Sequence, residues 1–313
     1  MNCKLSPIAS VVISTWQRRA LLRGLLFSLA RQILPYTVEI IVADSESTDG
    51  TAAMVKEFSR RVRRVDIVHT ENALAVKRNA GARAARGGVI VFLDDDLLMD
   101  GVDTLRKIIE ESLHAQGPVC FRVSYPPPWI AASNYYRFKQ MAHDQTNSGP
   151  ELIAPYRFVA MAFCIRRSQF EASGGFCEDF RTYGGEDHAF EFALRRIAIN
   201  SVLSRSASVV HLENSRTFLK YGEKLVGTSR DAMPMLFRKY PEARKVGSAL
   251  LESRSTAIAV GVVPDWLLKV LFDASAYLVD RLPIQTPRRV LRACGRIFQG
   301  LSYYLGKKQR MKA

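Results

Sequence analysis

The sequence predicts an α/β fold: a doubly wound, mostly parallel sheet with helices on both faces, followed by a C-terminal helical extension. Three observations carry that prediction. Four short β-branched runs are separated by three helix-period segments over residues 8–93. The fourth run, Val89–Leu93, stops abruptly at three carboxylates, Asp94, Asp95 and Asp96. Beyond about residue 216 the strand signals end and helical ones take over.

The elements follow in order. Ile8–Ser14 is the first strand, and the short N-terminal stretch reads as the lead into it rather than as a signal peptide. Arg19–Gln32 spaces Leu21, Leu22, Leu25, Leu26 and Leu29 as one face of a helix. Val38–Ala43 is the second strand, ending at Asp44. Ser47-Thr48-Asp49-Gly50-Thr51 then supplies a turn and a cap for a helix over Ala52–Arg61. Val65–His69 is the third strand, and Ala75–Arg86 is a helix closed by Gly87-Gly88. Val119–Ser124, Phe158–Ile165 and Ser208–Leu212 are further strands, and Glu186–Ile197 is a helix. Tyr125–Trp129, with three prolines, reads as a rigid extended loop, and residues 141–156 as a polar lid. Ser173-Gly174-Gly175-Phe176 is a turn.

Composition bounds the function. A hydrophobic fraction of 48% and a charged fraction of 24% are those of a folded globular chain, which excludes a disordered one. The net charge is +15, and residues 214–313 hold nineteen Lys and Arg against seven Asp and Glu, so the excess lies in the C-terminal third. An anionic partner is expected there, either nucleic acid or anionic lipid. Val262–Val279 is apolar but interrupted by Asp265, Lys269 and Asp273, which argues against a membrane span. Residues 287–308 set six Lys and Arg among apolar residues, a pattern suited to the surface of an anionic bilayer or to a packed helix with a solvated basic face. The five cysteines, Cys3, Cys120, Cys164, Cys177 and Cys294, are odd in number and lack a CxxC pair. They predict reduced thiols in the cytosol, not a disulfide framework or a zinc site.

The chemistry starts from Asp94, Asp95 and Asp96. A buried strand cannot hold an unpaired ionised carboxylate without a cost of several kcal/mol, so the three belong at its C-terminal mouth. That is where open α/β sheets bind ligands. Carboxylates there suit a hard divalent metal that neutralises phosphate oxygens. The alternative is that they cap a following helix, with Asp96 ahead of Leu97 and Leu98. Glu186 and Asp187 form a second acidic pair behind Gly184-Gly185. A positioned carboxylate can accept the proton of an attacking hydroxyl, while acids at a helix N-terminus are also favoured by its dipole.

The order of motifs is Ser14-Thr15-Trp16, Asp44–Thr51, Lys77-Arg78-Asn79-Ala80-Gly81, Phe92–Asp96, Gly174-Gly175-Phe176 and Tyr183-Gly184-Gly185-Glu186-Asp187-His188. Over residues 6–215 this resembles family-2 glycosyltransferases of the GT-A fold. The last two motifs are similar to the GGF and GGED segments of a galactosyltransferase and chondroitin-polymerase type of module. The resemblance implies a GT-A domain over 1–215, with a nucleotide-sugar half (1–100) and an acceptor and catalytic half (101–215), and a basic extension over 216–313. It implies a nucleotide-sugar site of Thr15, Asp44, Arg78, Asn79, Asp94 and Asp95. In the family's pattern Asp44 faces the base, and Ser45 stands where a second acid is often found. Metal ligands would be Asp96, His211 and Asp94, with Mn2+ or Mg2+ as cofactor. Asp95, between two ligands, would point away if the strand stayed extended. Asp187 would be the base and Glu186 a sugar-binding carboxylate. Trp129 and Tyr183 are candidates for stacking on a sugar face.

The expected activity is inverting transfer from a nucleotide-sugar, a UDP-sugar in the first instance, to a glycan or lipid-linked glycan hydroxyl. The absence of a QxxRW motif favours one sugar per encounter over processive synthesis. The expected location is cytoplasmic, peripheral on the inner face of the membrane through residues 262–313. Two alternatives remain at the level of sequence. A nucleotidyltransferase shares the sheet, carboxylates and metal, and a nucleic-acid-binding protein would use the basic C-terminal region. No nucleic-acid motif accompanies that charge, so no nucleic acid is expected as partner.

Overall fold

The computed structural model describes residues 6–62, 65–147, 152–153, 157–213, 217–246 and 262–312. Packing divides the chain into two units. The first holds Met1–Ser124, Thr146–Arg181 and Glu186–Leu212; the second holds Tyr125–Gln145, Thr182–Gly185 and Glu213–Ala313.

The first unit is built on strands whose apolar residues face both ways. Val11 and Ile13 of β1 (Ala9–Thr15), Ile40 and Val42 of β2 (Val38–Asp44) and Val89, Val91 and Leu93 of β4 (Val89–Asp94) enter one buried cluster. Val12, Ile41, Ile90 and Phe92, one residue out of phase, enter the other. A strand apolar on both faces must be covered on both faces. The first cluster is covered by α1 (Arg19–Ala30), α2 (Thr51–Arg61) and α4 (Thr104–His114). Leu22, Leu25, Leu26 and Leu29 of α1 are fully buried there, each contributing about 2 kcal/mol by removal from water. The second cluster is covered by α3 (Leu74–Ala84), by α7 (Arg167–Ala172), which the sequence pattern did not indicate, and by α8 (Glu186–Arg196).

The sheet has eight strands in the order β3-β2-β1-β4-β7-β6-β8-β5. The four that the sequence reading found first, including β3 (Val65–His69), pair in parallel. Beyond β4 the sheet is mixed. β7 (Ala162–Arg166) runs antiparallel to β4 and to β6 (Val119–Ser124), while β8 (Val202–His211) is parallel to β6 and antiparallel to β5 (Leu97–Met99). This is the expected doubly wound, mostly parallel sheet with helices on both faces.

Several expectations are corrected. Asp96 does not cap a helix, because Leu97–Met99 is a strand. Tyr125–Trp129 is not an extended loop: Pro127–Ala132 is the short helix α5, with proline at its first positions, where a missing N–H is no loss. Residues 141–147, the start of the expected lid, belong to helix α6 (Asn134–Asn147), and residues 148–151 and 154–156 lie outside the described residues. β8 starts six residues before the expected Ser208. Ser204 is buried there with its hydroxyl accepting from the Ser206 and Ala207 amides, opposite a register shift in β6. Such satisfied serines hide the strand's alternation.

The second unit is helical around its own core. Helices α9 (Phe218–Gly227), α10 (Met233–Lys239), α11 (Ala243–Val246), α12 (Asp265–Arg281) and α13 (Arg288–Lys312) accompany α5 and α6. Tyr125, Tyr135, Phe218, Phe272, Leu291 and Phe298 are among its buried residues. Glu213 is buried with them and accepts hydrogen bonds from the hydroxyls of Tyr125 (3.0 Å) and Tyr135 (2.8 Å). Among the described residues no helix is long and apolar enough to cross a membrane, and no disulfide joins Cys120, Cys164, Cys177 and Cys294.

Candidate functional site

The register of the parallel strands sets the site. Thr15 lies opposite Asp44, and Ser14 opposite Asp94, so β2, β1 and β4 end level with one another. This mouth falls where the strand order turns, the usual ligand crevice of such sheets. After Asp94 the chain turns instead of remaining extended. Asp95 therefore does not point away. Its Oδ2 accepts from the Thr15 hydroxyl (2.6 Å) and its Oδ1 from Arg18 Nη1 (3.0 Å). The same Arg18 nitrogen donates to Asp96 Oδ2 (2.9 Å). Arg18 sits in the loop between β1 and α1. There the Gln17 backbone takes a left-handed φ of +53° and donates to the Ser47 hydroxyl (2.8 Å), and the Arg19 amide donates to Asp49 (2.8 Å).

Asp44 is fully buried and engaged locally. Its carboxylate accepts from the hydroxyl (2.5 Å) and amide (3.0 Å) of Ser47, an Asx turn. Asn79 is likewise engaged within the fold. It accepts from the Phe176 amide (2.9 Å) and donates to the Phe176 carbonyl (2.8 Å) and to Glu178 (2.8 Å). It thereby fastens the Gly174-Gly175-Phe176 turn, in which Gly175 has φ +74° and a Cβ would lie 2.9 Å from Asn79 Oδ1. Lys77 is buried with its ammonium on the Thr15 carbonyl (3.3 Å) and Asn72 (2.9 Å), and burial lowers its pKa.

Arg78 joins the two acidic groups. Its Nη2 donates to Asp94 (3.0 Å) and its Nη1 to Glu186 (3.1 Å), and its guanidinium lies 5.2 Å from the Phe176 ring centre. It reaches this position because α3 packs hard on β1: a Cβ at Gly81 would come within 2.3 Å of Val12. Phe190 of α8 stacks on Phe176 (4.4 Å) and so fixes the helix whose first turn carries Glu186 and Asp187. Glu186 is buried, and its second oxygen, Oε2, has no hydrogen-bond partner among the described residues. Asp187 is partly exposed and caps its own helix through the His188 amide (2.8 Å).

Burial governs the charges. It raises the pKa of Glu186, with Asp187 adding to the rise and Arg78 opposing it. It raises Asp94, against Arg78. It pushes Asp95 up to about 6, against Arg18 and the Thr15 hydroxyl. Burial acts on Asp96 in the same sense, but His211 and Arg18 outweigh it and hold Asp96 below the usual carboxylate range. His211 ends β8 opposite Leu97 of β5, and this pairing brings its Nε2 to 3.4 Å from Asp96 Oδ1.

The donor set bears on a metal. Among the described residues no three acidic, histidine or cysteine side chains converge as a ready ligand group. Asp94 is turned to Arg78, and the facing donors are Asp96 and His211. Asp96 Oδ1 is buried and, among the described residues, accepts no hydrogen bond of good geometry. One carboxylate and one imidazole fit Mn2+ or Mg2+ when substrate phosphate and water complete the coordination.

Trp129 and Tyr183 belong to the second unit. Trp129 packs on Tyr136 (5.1 Å), and Tyr183 is 58% exposed with the Lys224 ammonium 5.4 Å from its ring centre. Arg18 was missed by sequence reasoning, since nothing in Gln17-Arg18-Arg19 distinguishes one arginine from the next.

Residues 10–168 match the model of glycosyl transferase family 2, and the chain belongs to that family. It is 28% identical over 248 residues to a validoxylamine A glucosyltransferase of Streptomyces hygroscopicus subsp. limoneus, an alignment covering 67% of this chain and 53% of that relative. The chain thus spans about half the length of that protein. Among solved structures, the mannosyltransferase PcManGT of Pyrobaculum calidifontis, in complex with GDP-Man and Mn2+, is similar with a TM-score of 0.60 at 18% identity, covering 98% of this chain and 88% of that one. Residues 1–349 of S. aureus TarS, in complex with UDP-GlcNAc, give a TM-score of 0.51 at 16% identity, covering 97% and 91%. At these identities the likeness is one of fold, and the fold is GT-A.

Proposed function

We propose that this chain is a metal-dependent, inverting glycosyltransferase that moves a sugar from a nucleotide-sugar, a UDP-sugar in the first instance, to a hydroxyl of a glycan or lipid-linked glycan. The observation that carries the reading is Arg78, a buried guanidinium tying Asp94 at the sheet mouth to Glu186 at the start of α8. It sets a carboxylate cluster suited to a divalent metal, and through that metal to a diphosphate, beside a carboxylate pair suited to an acceptor.

In this reading the nucleotide lies over the ends of β1 and β2, against Thr15 and the Asp44 turn. Asp94 and Asp95 face the ribose and diphosphate, and Arg78 orients Asp94. Asn79 contributes by holding the Phe176 turn. Asp96 and His211, with Asp94 near them, would hold Mn2+ or Mg2+, which supplies charge neutralisation for the departing diphosphate. The acceptor oxygen attacks the anomeric carbon from the face opposite the leaving group. The new C–O bond forms as the bond to the diphosphate oxygen breaks, and the nucleotide leaves with the electron pair. Asp187 takes the hydroxyl proton; it is the more exposed of the acidic pair, with side-chain exposures of 21% for Asp187 and 7% for Glu186. Glu186, with an unpartnered oxygen, binds a sugar hydroxyl. One displacement with one base inverts the anomeric centre.

Residues 1–215 would carry the transfer, with 1–100 serving the donor and 101–215 the acceptor. Residues 216–313 would hold the protein at an anionic membrane surface. Leu291, Phe298 and Leu305 of α13 are buried inside its own unit. Exposed apolar area lies on α12, at Trp266 (67%), Val270 (53%), Tyr277 (59%) and Leu278 (62%), and on α13, at Val290 (47%) and Ile297 (63%), beside the exposed Arg288, Arg289 and Arg296. Aromatic and aliphatic side chains with nearby arginines suit an anionic bilayer interface. The test of the activity is a panel of UDP- and GDP-sugars with Mn2+, read as nucleotide released. Acceleration by a glycan or lipid-linked acceptor that is lost in Asp187→Asn supports the reading. No release from any donor with wild-type protein contradicts it.

A further inference from the structure

Arg18 is the one cation in contact with Asp95 and Asp96 among the described side-chain ion pairs other than His211. A single nitrogen, Nη1, sits 3.0 Å from Asp95 Oδ1 and 2.9 Å from Asp96 Oδ2. The two carboxylates are nearly buried, with side-chain exposures of 4% and 8%, whereas the Arg18 side chain is 40% exposed. The asymmetry matters. Two adjacent buried carboxylates repel each other and need a cation between them. The cation they have is a partly exposed, long side chain on a loop. The backbone around it is fastened by Gln17 and Arg19, so the guanidinium can leave without the loop moving. Asp96 offers one oxygen to Arg18 and the other to His211. A divalent ion taking up Asp96 would meet a guanidinium within about one ion-pair distance, and the two cations repel.

We propose that Arg18 is a built-in stand-in for the metal. It neutralises Asp95 and Asp96 in the resting protein, is displaced when the metal enters, and then pairs with the donor diphosphate, the anion that arrives beside it. Guanidinium and diphosphate are well matched in geometry and charge. The inference rests on the metal-dependent reading above. Its consequence is coupling. Metal alone must evict Arg18 with no new anion for it, whereas metal with nucleotide supplies one. Metal and nucleotide therefore bind better together than apart, each strengthening the other by the same factor.

The test is Mn2+ binding, read from the electron paramagnetic resonance of free Mn2+, and UDP binding by calorimetry, on wild type, Arg18→Ala and Arg18→Lys. Without nucleotide, Arg18→Ala is expected to bind Mn2+ at least tenfold more tightly than wild type. With saturating Mn2+ it is expected to bind UDP at least fivefold more weakly. Arg18→Lys falls between the two. Melting gives a check on folding: Mn2+ alone raises the melting temperature of Arg18→Ala more than that of wild type, because only the variant's carboxylates have lost the guanidinium that the metal would otherwise have to displace. A purely structural Arg18 would weaken both ligands or neither. Metal-dependent UDP binding by wild type, with Mn2+ affinity unchanged or reduced in Arg18→Ala, overturns the stand-in role alone. UDP binding by wild type that ignores Mn2+ overturns the metal-dependent reading and the stand-in role with it.

Discussion

Removing Arg78 should be costly, and the cost should depend on pH. The guanidinium is buried and satisfies two carboxylates, Asp94 at 3.0 Å and Glu186 at 3.1 Å. Arg78→Met keeps much of the apolar volume against Phe176 but leaves both acids without their cation. Breaking a buried pair by deleting one partner costs about 3–5 kcal/mol. Asp94 is 27% exposed at the side chain, so water screens part of its share, and Glu186 at 7% dominates. In a domain of this size each kcal/mol moves the melting temperature by roughly 2–4 °C, so Arg78→Met should melt about 6–20 °C below wild type at pH 7. The sign with pH follows from the direction of the shifts. Burial already raises both carboxyls above their unfolded values, and loss of Arg78 raises them further. A folded-state carboxyl pKa above the unfolded one is a penalty at high pH that is relieved as pH falls through it. The gap between variant and wild type should therefore narrow from pH 7 to pH 5, and Arg78→Met with Glu186→Gln should recover part of it at pH 7. The assay is thermal unfolding by circular dichroism across that range. A variant melting within 2 °C of wild type at pH 7, or a gap independent of pH, would refute the argument.

Other expectations follow from the same geometry. Asp187→Asn should lower turnover by roughly 10²–10⁴ while leaving UDP affinity within about twofold, measured by coupled nucleotide release and calorimetry. Gly175→Ala forces a side chain onto a left-handed backbone and against Asn79. It should cost about 1–3 kcal/mol in urea unfolding, whereas Gly174→Ala, with open space around it, should cost only the backbone part. Trp266→Glu should reduce cosedimentation with anionic vesicles severalfold and leave binding of UDP unchanged; equal sedimentation, or loss of a dimer in its place, would assign the α12 face to another partner.

The parallel half of the sheet was legible because its strands carry uninterrupted Val and Ile and end in acids or turn residues. Asp94–Asp96 and Glu186–Asp187 stood out for the same reason, as charges at the ends of apolar or helix-forming runs. Asp95 did not read correctly, since its direction depends on the turn that follows Asp94, and a strand pattern says nothing of where pairing stops. His211 was found as the end of a strand. The family resemblance set it beside Asp96, while the three-residue β5 that brings the two together was too short to announce itself beside three aspartates. Arg18 is invisible for a related reason: its role comes from a left-handed Gln17 and from the end of β4, 77 residues away. The helices over 127–147 were hidden by prolines and polar residues that the buried aromatic core of the second unit outweighs.

The most direct measurement is calorimetric titration of UDP, with GDP in parallel, into wild type and Asp96→Ala, each with and without Mn2+. The account predicts micromolar binding of one nucleotide that requires Mn2+ and is lost in Asp96→Ala, while the variant melts within a few degrees of wild type. Binding of neither nucleotide, or binding indifferent to both Mn2+ and Asp96, would contradict it.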